Sequence, residues 1–433
     1  MSGALKRHPL LLILAAALAL RLVAAVGVHS YLDRVDRAFL IPGDAEGYWM
    51  LAGKIAAGEE YAVYDPPRRV LRMPGFPLLL AGVRASFGDS FLAARIVLAI
   101  VGTAACGAVY LLGSMLGSRR TGLIAAAMAA CWPVLVGFSV LVLSETFFAL
   151  LLTLSLVAMA WLVKRVPLAT GAKRPTRQSL LAAVVVGVSV VLASYVRPTW
   201  LPAAGFFPLA YWLSSGRTGV AAMIALTIVV AAVVTLAPWT VRNRIVTGHW
   251  VPTTLWVGPS LYDGLGPTAT GESDMRFFDE DQLLSRMSEF DMDRTYRARA
   301  WEFVRKNPFR TVELAFAKLW RYVRPWPGAE QFSSPAAQLA VTGFYIPMIL
   351  LAVVGAWDRR RDLWFAGLAA APFVLFALVH CVFVSSLRYR LPAEYPLCLL
   401  SAAGLQAMFG SRFESPIPLH HDVSPLPGER GRG

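Results

Sequence analysis

The chain has 433 residues, of which 57% are apolar and 16% charged, and its formal net charge is +14. Soluble domains carry about a quarter charged residues, so this balance excludes an ordinary soluble globular protein. The positive surplus does not mark a nucleic-acid binder, because no basic patch is interleaved with exposed aromatics and much of it falls between apolar runs.

Several of those runs reach the roughly 20 residues needed to cross a bilayer. In chain order, spans are predicted at about 9–29, 91–116, 121–138, 144–163, 179–196, 199–214, 219–239, 336–356, 363–384 and 391–409. The expected fold is therefore an all-α polytopic membrane protein, a bundle of about ten transmembrane helices. The first run follows a basic start but is long and lacks a small-residue cleavage site, so it reads as a retained helix. Arg21 inside it is costly in lipid and must face the bundle or snorkel outward. Basic links at Lys6–Arg7, Arg119–Arg120, Lys164 to Arg177 (with Arg165, Lys173 and Arg174) and Arg359–Arg361 alternate along the chain. The positive-inside rule puts these links, and both ends of the chain, in the cytoplasm.

Four regions follow. Residues 1–240 form an N-terminal transmembrane module with a long first outer loop at 30–90, and 241–335 form a second outer loop. Residues 336–410 supply the last helices, and 411–433, rich in Pro, Gly and His, read as a disordered cytoplasmic tail. In the first loop Tyr48, Leu51, Ala52 and Ile55 share a helical face, which predicts a short interfacial helix, with a second apolar segment at 76–87. In the second loop Tyr296, Ala300, Phe303 and Val304 share a face. Asn307-Pro308 breaks that helix, and Phe309, Val312, Phe316, Leu319 and Trp320 begin another.

The polar residues of the outer side are the candidates for chemistry. Asp44 and Glu46, in Pro42-Gly43-Asp44-Ala45-Glu46-Gly47-Tyr48, stand just beyond the first span. A partly desolvated carboxylate there could take the proton of an attacking hydroxyl, or Asp44 could simply cap a helix. Arg72, in a Pro- and Gly-rich turn, could pair with phosphate oxygens or snorkel at the interface. Glu145 sits in a short outer turn, where it could bind a metal, orient an acceptor or pair with an arginine. Arg197-Pro198, Arg242-Asn243-Arg244 and Arg388-Tyr389-Arg390 place cations at outer span ends, against the positive-inside trend. Three such clusters on one side point to an anion, a lipid phosphate or pyrophosphate; taken singly, each is also explained by lipid headgroups.

Other chemistries lack local support. Cys106, Cys131, Cys381 and Cys398 lie in or beside apolar runs without metal-ligand spacing, and His29, His249 and His380 are isolated. No Walker loop, GxGxxG, HExxH or CxxC pair occurs.

The chain resembles the GT-C superfamily of glycosyltransferases, and within it the bacterial family 39 relatives of protein O-mannosyltransferases and of lipid A aminoarabinose transferase. The resemblance rests on GDAEGYWMLA and RMPGFPLLLAG, LSETFFALLL, APWTVRNRIVTGHWVPTT, RARAWEFVRKNPFRTVELAFAKLWRYVRP and SLRYRLPAEYPLCLL, in that order over nearly the whole chain. It implies an inverting transferase in the inner membrane with a periplasmic site. It would use a polyprenyl-phosphate sugar donor that reaches a groove between helices from the surrounding membrane lipids. Asp44, with Glu46 beside it, matches the family's first-loop acid, and Arg72, Arg197, Arg388 and Arg390 become candidates for the donor phosphate. The family's adjacent acids are separated here by Ala45, and no large C-terminal soluble domain of the oligosaccharyltransferase type is expected. Acceptor choice then falls to the second outer loop or to the helices. With no ligand set beyond Asp44, Glu46 and Glu145, catalysis is expected to be metal-independent. The alternative function is a flippase or transporter for a lipid-linked or anionic solute, which would share the outer arginines but predicts paired repeats with broken helices.

Overall fold

The structure, a computed structural model, describes residues 8–165, 174–328 and 334–410. The predicted tail and the predicted basic residues Lys6, Arg7 and Lys173 lie outside them. Helices in order are α1 (Pro9–Arg34), α2 (Asp44–Ala56), α3 (Gly75–Phe87), α4 (Phe91–Leu116), α5 (Arg119–Cys131), α6 (Pro133–Phe138), α7 (Glu145–Arg165), α8 (Arg177–Ser194) and α9 (Ala203–Ser214). There follow α10 (Gly219–Thr247), α11 (Val257–Gly264), α12 (Arg276–Asp281), α13 (Glu289–Lys306), α14 (Pro308–Val323), α15 (Pro335–Asp358), α16 (Leu363–Val382) and α17 (Leu387–Phe409). The described residues contain no β-strand, only an isolated antiparallel bridge between Val63 and Arg68.

Seven helices are long and apolar enough to cross a membrane: α1, α4, α7, α8, α10, α15 and α16. The other three predicted spans differ for physical reasons. The segment predicted at 121–138 is interrupted at Trp132-Pro133, because proline has no amide to continue the helix. The one predicted at 199–214 yields a 12-residue helix after a 3-10 turn at Pro198–Trp200, too short to cross alone. The last, α17, is long but carries Arg388, Arg390 and Glu394.

Arg21 faces the bundle. Its guanidinium is fully buried and donates to Ala129 O (3.3 Å) and Ala130 O (3.2 Å), carbonyls at the end of α5 that the break at Pro133 leaves without helical partners. Toward lipid, α10 exposes Leu226, Val230, Val233 and Val234. Inside, small residues allow close helix approach: a Cβ on Gly355 of α15 would fall 1.9 Å from Leu400 O of α17.

The helices run back and forth along the bundle, with α5 and α6 together, α9, and α17 each making a pass, so residues 35–90, 139–144, 195–197, 248–328 and 383–386 gather at one end. The described basic residues Arg119, Arg120, Lys164 and Arg359 lie at the other, where Lys164 pairs with Asp362 at 3.2 Å. At the first end the two long loops interlock. Glu289 at the start of α13 accepts from Arg69 N (2.9 Å) and Val70 N (3.1 Å), and Arg242 donates to Arg69 O (2.7 Å) and Tyr61 O (3.2 Å). Arg242 therefore serves as a strut between loops, with Asn243 buried beside it and bonded to Val251 O at 2.9 Å.

Candidate active site

Five charged side chains from five parts of the chain meet at that end. Asp44 is the first residue of α2, whose N-cap is Gly43 in a positive-φ conformation (72°). Its own carboxylate is not used for capping: one oxygen accepts from Arg72 and the other from Arg388 Nη2 at 2.6 Å. Arg388 Nε in turn donates to Glu145 Oε1, which also accepts from Arg197 Nη2 at 2.6 Å. The result is an alternating chain, Arg72–Asp44–Arg388–Glu145–Arg197. Three guanidiniums against two carboxylates leave one positive charge.

Local sequence explains each placement. Pro74 and Gly75 end the bent loop segment that carries Arg72, and Gly75 N donates to Tyr195 O at 2.8 Å. A Cβ on Gly75 would lie 2.8 Å from that same oxygen, so only glycine lets the first loop seat on the end of α8. Tyr61 Oη donates to Arg72 O at 3.1 Å and steadies the same turn. Arg197 follows α8 where Pro198 stops it, and Glu145 opens α7. Glu145 is fully buried and its Oε2 has no hydrogen-bond partner, while Asp44, Arg72, Arg197 and Arg388 keep between 15% and 28% of their side-chain surface exposed. The network thus reaches solvent on the Asp44 side.

Burial pushes the Asp44 carboxyl up, but the Arg72 and Arg388 guanidiniums outweigh it and hold the group well below the usual carboxylate range. Asp44 is ionised and locked in this state.

Two other predicted site residues are placed elsewhere. Glu46 is exposed and turns back so that its Oε2 accepts from Gly43 N at 3.4 Å, capping α2 from the third helical position. The intervening Ala45 puts its side chain on another face of the helix from Asp44. Arg390 is fully buried, paired with Glu394 at 2.6 Å and donating to Tyr322 O (2.8 Å) and Arg324 O (2.7 Å). Two positions past Arg388 on a helix, it points away from the network and braces α17 against α14.

Several participants carry no charge and gave no signal in the sequence. Ser144 Oγ accepts from Arg197 Nε at 3.0 Å and from Tyr48 Oη at 3.4 Å. Arg72 lies over the Tyr48 ring at 4.9 Å, and Arg197 and Arg388 flank Tyr389 at 5.8 and 5.9 Å. His380 stacks on Tyr389 at 4.3 Å.

An apolar groove of about 420 Å³ runs to this network, bounded by Val28, Ile41, Pro133, Phe138 and Ala340, with Arg388 at its end. A larger cavity of about 980 Å³ lies at the opposite end, between Phe206, Leu213, Arg361 and Trp364, and touches none of the five charged residues. Among the described residues no three His, Cys, Asp or Glu side chains converge. Both acids of the network are already held by guanidiniums, so this donor set does not fit a divalent cation.

No protein-family model matches the chain, and no curated protein matches it in sequence. Solved structures do. The apo form of the Archaeoglobus fulgidus oligosaccharyltransferase overlays 95% of this chain and 52% of its own, with a TM-score of 0.57 at 14% identity. AglB from the same organism, in complex with an inhibitory peptide and a dolichol-phosphate, gives 0.54 at 15% identity over 94% of this chain and 51% of its own. The chain therefore spans about half the length of these relatives. ArnT from Cupriavidus metallidurans bound to undecaprenyl phosphate covers 94% of this chain and 80% of its own at 15% identity, but its TM-score of 0.44 is too low to bear on the fold. At such identities the likeness is one of architecture: the chain has a GT-C-type membrane helix bundle, the fold it shares with the archaeal oligosaccharyltransferases.

Proposed function

We propose that the protein is a membrane glycosyltransferase. It moves a sugar from a polyprenyl-phosphate carrier to a lipid, glycan or protein acceptor, with inversion, at the periplasmic face of the inner membrane. Closer kinship to the O-mannosyltransferase-like and aminoarabinose-transferase-like members of the superfamily belongs to the same reading. The observation that carries it is the alternating network with its surplus positive charge at the mouth of an apolar groove. A prenyl chain suits the groove, and a sugar phosphodiester, with one negative charge, matches the surplus. The solved AglB carries a dolichol-phosphate on the same fold, which adds support.

The chemistry is a single displacement. The acceptor heteroatom attacks the anomeric carbon, the bond from that carbon to the phosphate oxygen breaks, and its electron pair leaves with the phosphate. The acceptor proton goes to Asp44. As the diester becomes a monoester, negative charge grows on the phosphate, and Arg72, Arg388 and Arg197 are placed to stabilise it. The lowered affinity of Asp44 for protons makes it a weak base while both arginines hold it. A donor phosphate competing for Arg72 and Arg388 would release the carboxylate and restore its basicity. Base activation is then linked to donor binding, which protects the empty enzyme from idle proton transfer.

The test is transfer of label from a panel of radiolabelled polyprenyl-phosphate sugars in membranes holding wild type, Asp44→Asn or Glu46→Gln. Wild type should transfer, Asp44→Asn should lose about 100-fold or more, and Glu46→Gln should stay close to wild type. Full transfer by Asp44→Asn would move the base elsewhere. No transfer from any donor, with carrier lipid crossing the bilayer instead, would replace the transferase by a flippase.

A further inference from the structure

The two outer loops meet around a cation that has no acid. Arg68 follows a tight return of the first loop, where Val63 and Arg68 exchange backbone hydrogen bonds of 3.1 and 2.9 Å. Its guanidinium lies 4.9 Å from the Tyr64 ring, 5.1 Å from Trp256 and 4.6 Å from Phe278. Two of these rings come from the second loop. Two residues on from Arg68, Val70 O accepts from Leu255 N at 2.9 Å, which ties the two loops together.

Ring faces engage the plane of a guanidinium and leave its N–H edge for an in-plane acceptor. Among the described residues Arg68 forms no ion pair, and its Nε is buried without a hydrogen-bond partner. Glu289 and Asp279 act on it only from longer range, and Arg72 repels it. Glu289 is already committed to the amides of Arg69 and Val70. Every arginine of the neighbouring network has a carboxylate; this one does not.

Its position relates it to the site. Tyr64, which covers one side of Arg68, donates from its hydroxyl to Gly43 O at 3.3 Å, and Gly43 immediately precedes Asp44. A Cβ on Gly47, one turn along the same helix, would meet that hydroxyl at 2.7 Å, so the ring rests directly on the start of α2. A group bound at the Arg68 edge would sit beside a hydroxyl presented to Asp44. The apolar groove meets the network at Arg388, so this position is not needed for the donor.

We propose that Arg68, framed by Tyr64, Trp256 and Phe278, is an acceptor subsite that selects an oxyanion, a phosphate or a carboxylate, next to the group that receives the sugar. The proposal rests on the transferase reading and names its acceptor class. The guanidinium fork binds such a group in bidentate fashion, and the surrounding rings lower the local dielectric and strengthen the pairing.

The test uses the full chain in lipid nanodiscs, first saturated with a polyprenyl phosphate to occupy the network. Wild type, Arg68→Gln and Arg68→Lys are then titrated with glucose 6-phosphate, glucuronic acid and glucose. Wild type should bind one of the two anionic sugars at least about tenfold more tightly than glucose. Arg68→Gln, which keeps a planar end against the rings, should erase that preference, and Arg68→Lys should retain only part of it. Which anion wins identifies phosphate or carboxylate as the group selected. No preference in wild type, or a preference that survives in Arg68→Gln with an unchanged thermal melt, overturns the proposal. Failure of wild type to bind the polyprenyl phosphate is a separate result and counts against the transferase reading itself.

Discussion

Arg388 Nη2 lies 2.6 Å from Asp44 Oδ2, although 344 positions separate the two residues in the chain. Through its Nε the same guanidinium also holds Glu145. One side chain on the last described helix thus pairs with the acids of two earlier segments.

Removing that side chain should be severe. Arg388→Ala leaves Glu145 and Asp44 facing each other with one fewer cation, and breaking a buried pair typically costs about 3–5 kcal/mol. The expected outcome is a lowered melting temperature in nanodiscs together with loss of transfer. Arg388→Lys, which keeps charge but not the fork, should recover stability better than activity. Equal stability of the alanine variant and wild type would show that the network is not a structural element.

Glu145→Gln separates affinity from turnover. It raises the charge surplus of the network from one to two, so a polyprenyl phosphate should bind more tightly, by several-fold. Transfer should fall, because Arg197 and Arg388 lose the acid that orients them. Weaker phosphate binding by Glu145→Gln would contradict the charge argument.

Gly75→Ala tests the seating of the first loop. Its Cβ would lie 2.8 Å from Tyr195 O and 3.0 Å from Val196 Cγ2, and the Gly75 amide already donates to that oxygen. Overpacking of this kind costs about 1–3 kcal/mol. Displacement of Arg72 from Asp44 should lower transfer by more than the stability loss explains. Unchanged melting and unchanged transfer would mean that the loop and α8 adjust freely.

The pH dependence of stability has two separable parts. Asp44 has a folded-state pKa below its unfolded value, so its contribution is fully present above about pH 4 and fades as pH falls toward the folded value. The melting deficit of Asp44→Asn should accordingly be constant between pH 8 and 5, each an approximate bound, and shrink only in stronger acid. Lys318, fully buried on α14 and donating to Val382 O at 2.7 Å, behaves oppositely. Burial pulls its ammonium down to about 8 against an ordinary 10.5, with Cys381 and Asp263 opposing. Between those values the unfolded chain binds more protons, so stability rises with pH. Lys318→Met should remove that rise, and melting curves across the alkaline range will show whether it does.

Much of this arrangement was visible in the sequence, because hydropathy is a strong local signal. The apolar runs located α1, α4, α7, α8, α10, α15 and α16, and the outer-end position of Asp44, Arg72, Glu145, Arg197 and Arg388 picked out the residues that meet. Pairing was not legible. Whether a carboxylate at 44 or 46 meets an arginine at 388 depends on helix phase and tertiary approach, which no local pattern carries. Glu46 and Arg390 show the point: each stands two positions from a network residue, and helical geometry turns each to different partners. The break at Trp132-Pro133 was signalled by its proline, but the surrounding apolar run masked it. Tyr48, Ser144 and Tyr389 are common residues whose roles arise only from their neighbours.

The order of the network along the chain also bears on how the protein is made. Membrane insertion from the N-terminus delivers Asp44 and Arg72 first, then Glu145, then Arg197, and Arg388 only with α17. Until that helix docks, Glu145 has a single arginine and Asp44 lacks its second. The site is therefore completed by the helix that arrives last among those described, and quality control that senses uncompensated acids at the end of the bundle would have a natural signal for distinguishing a finished bundle from an unfinished one.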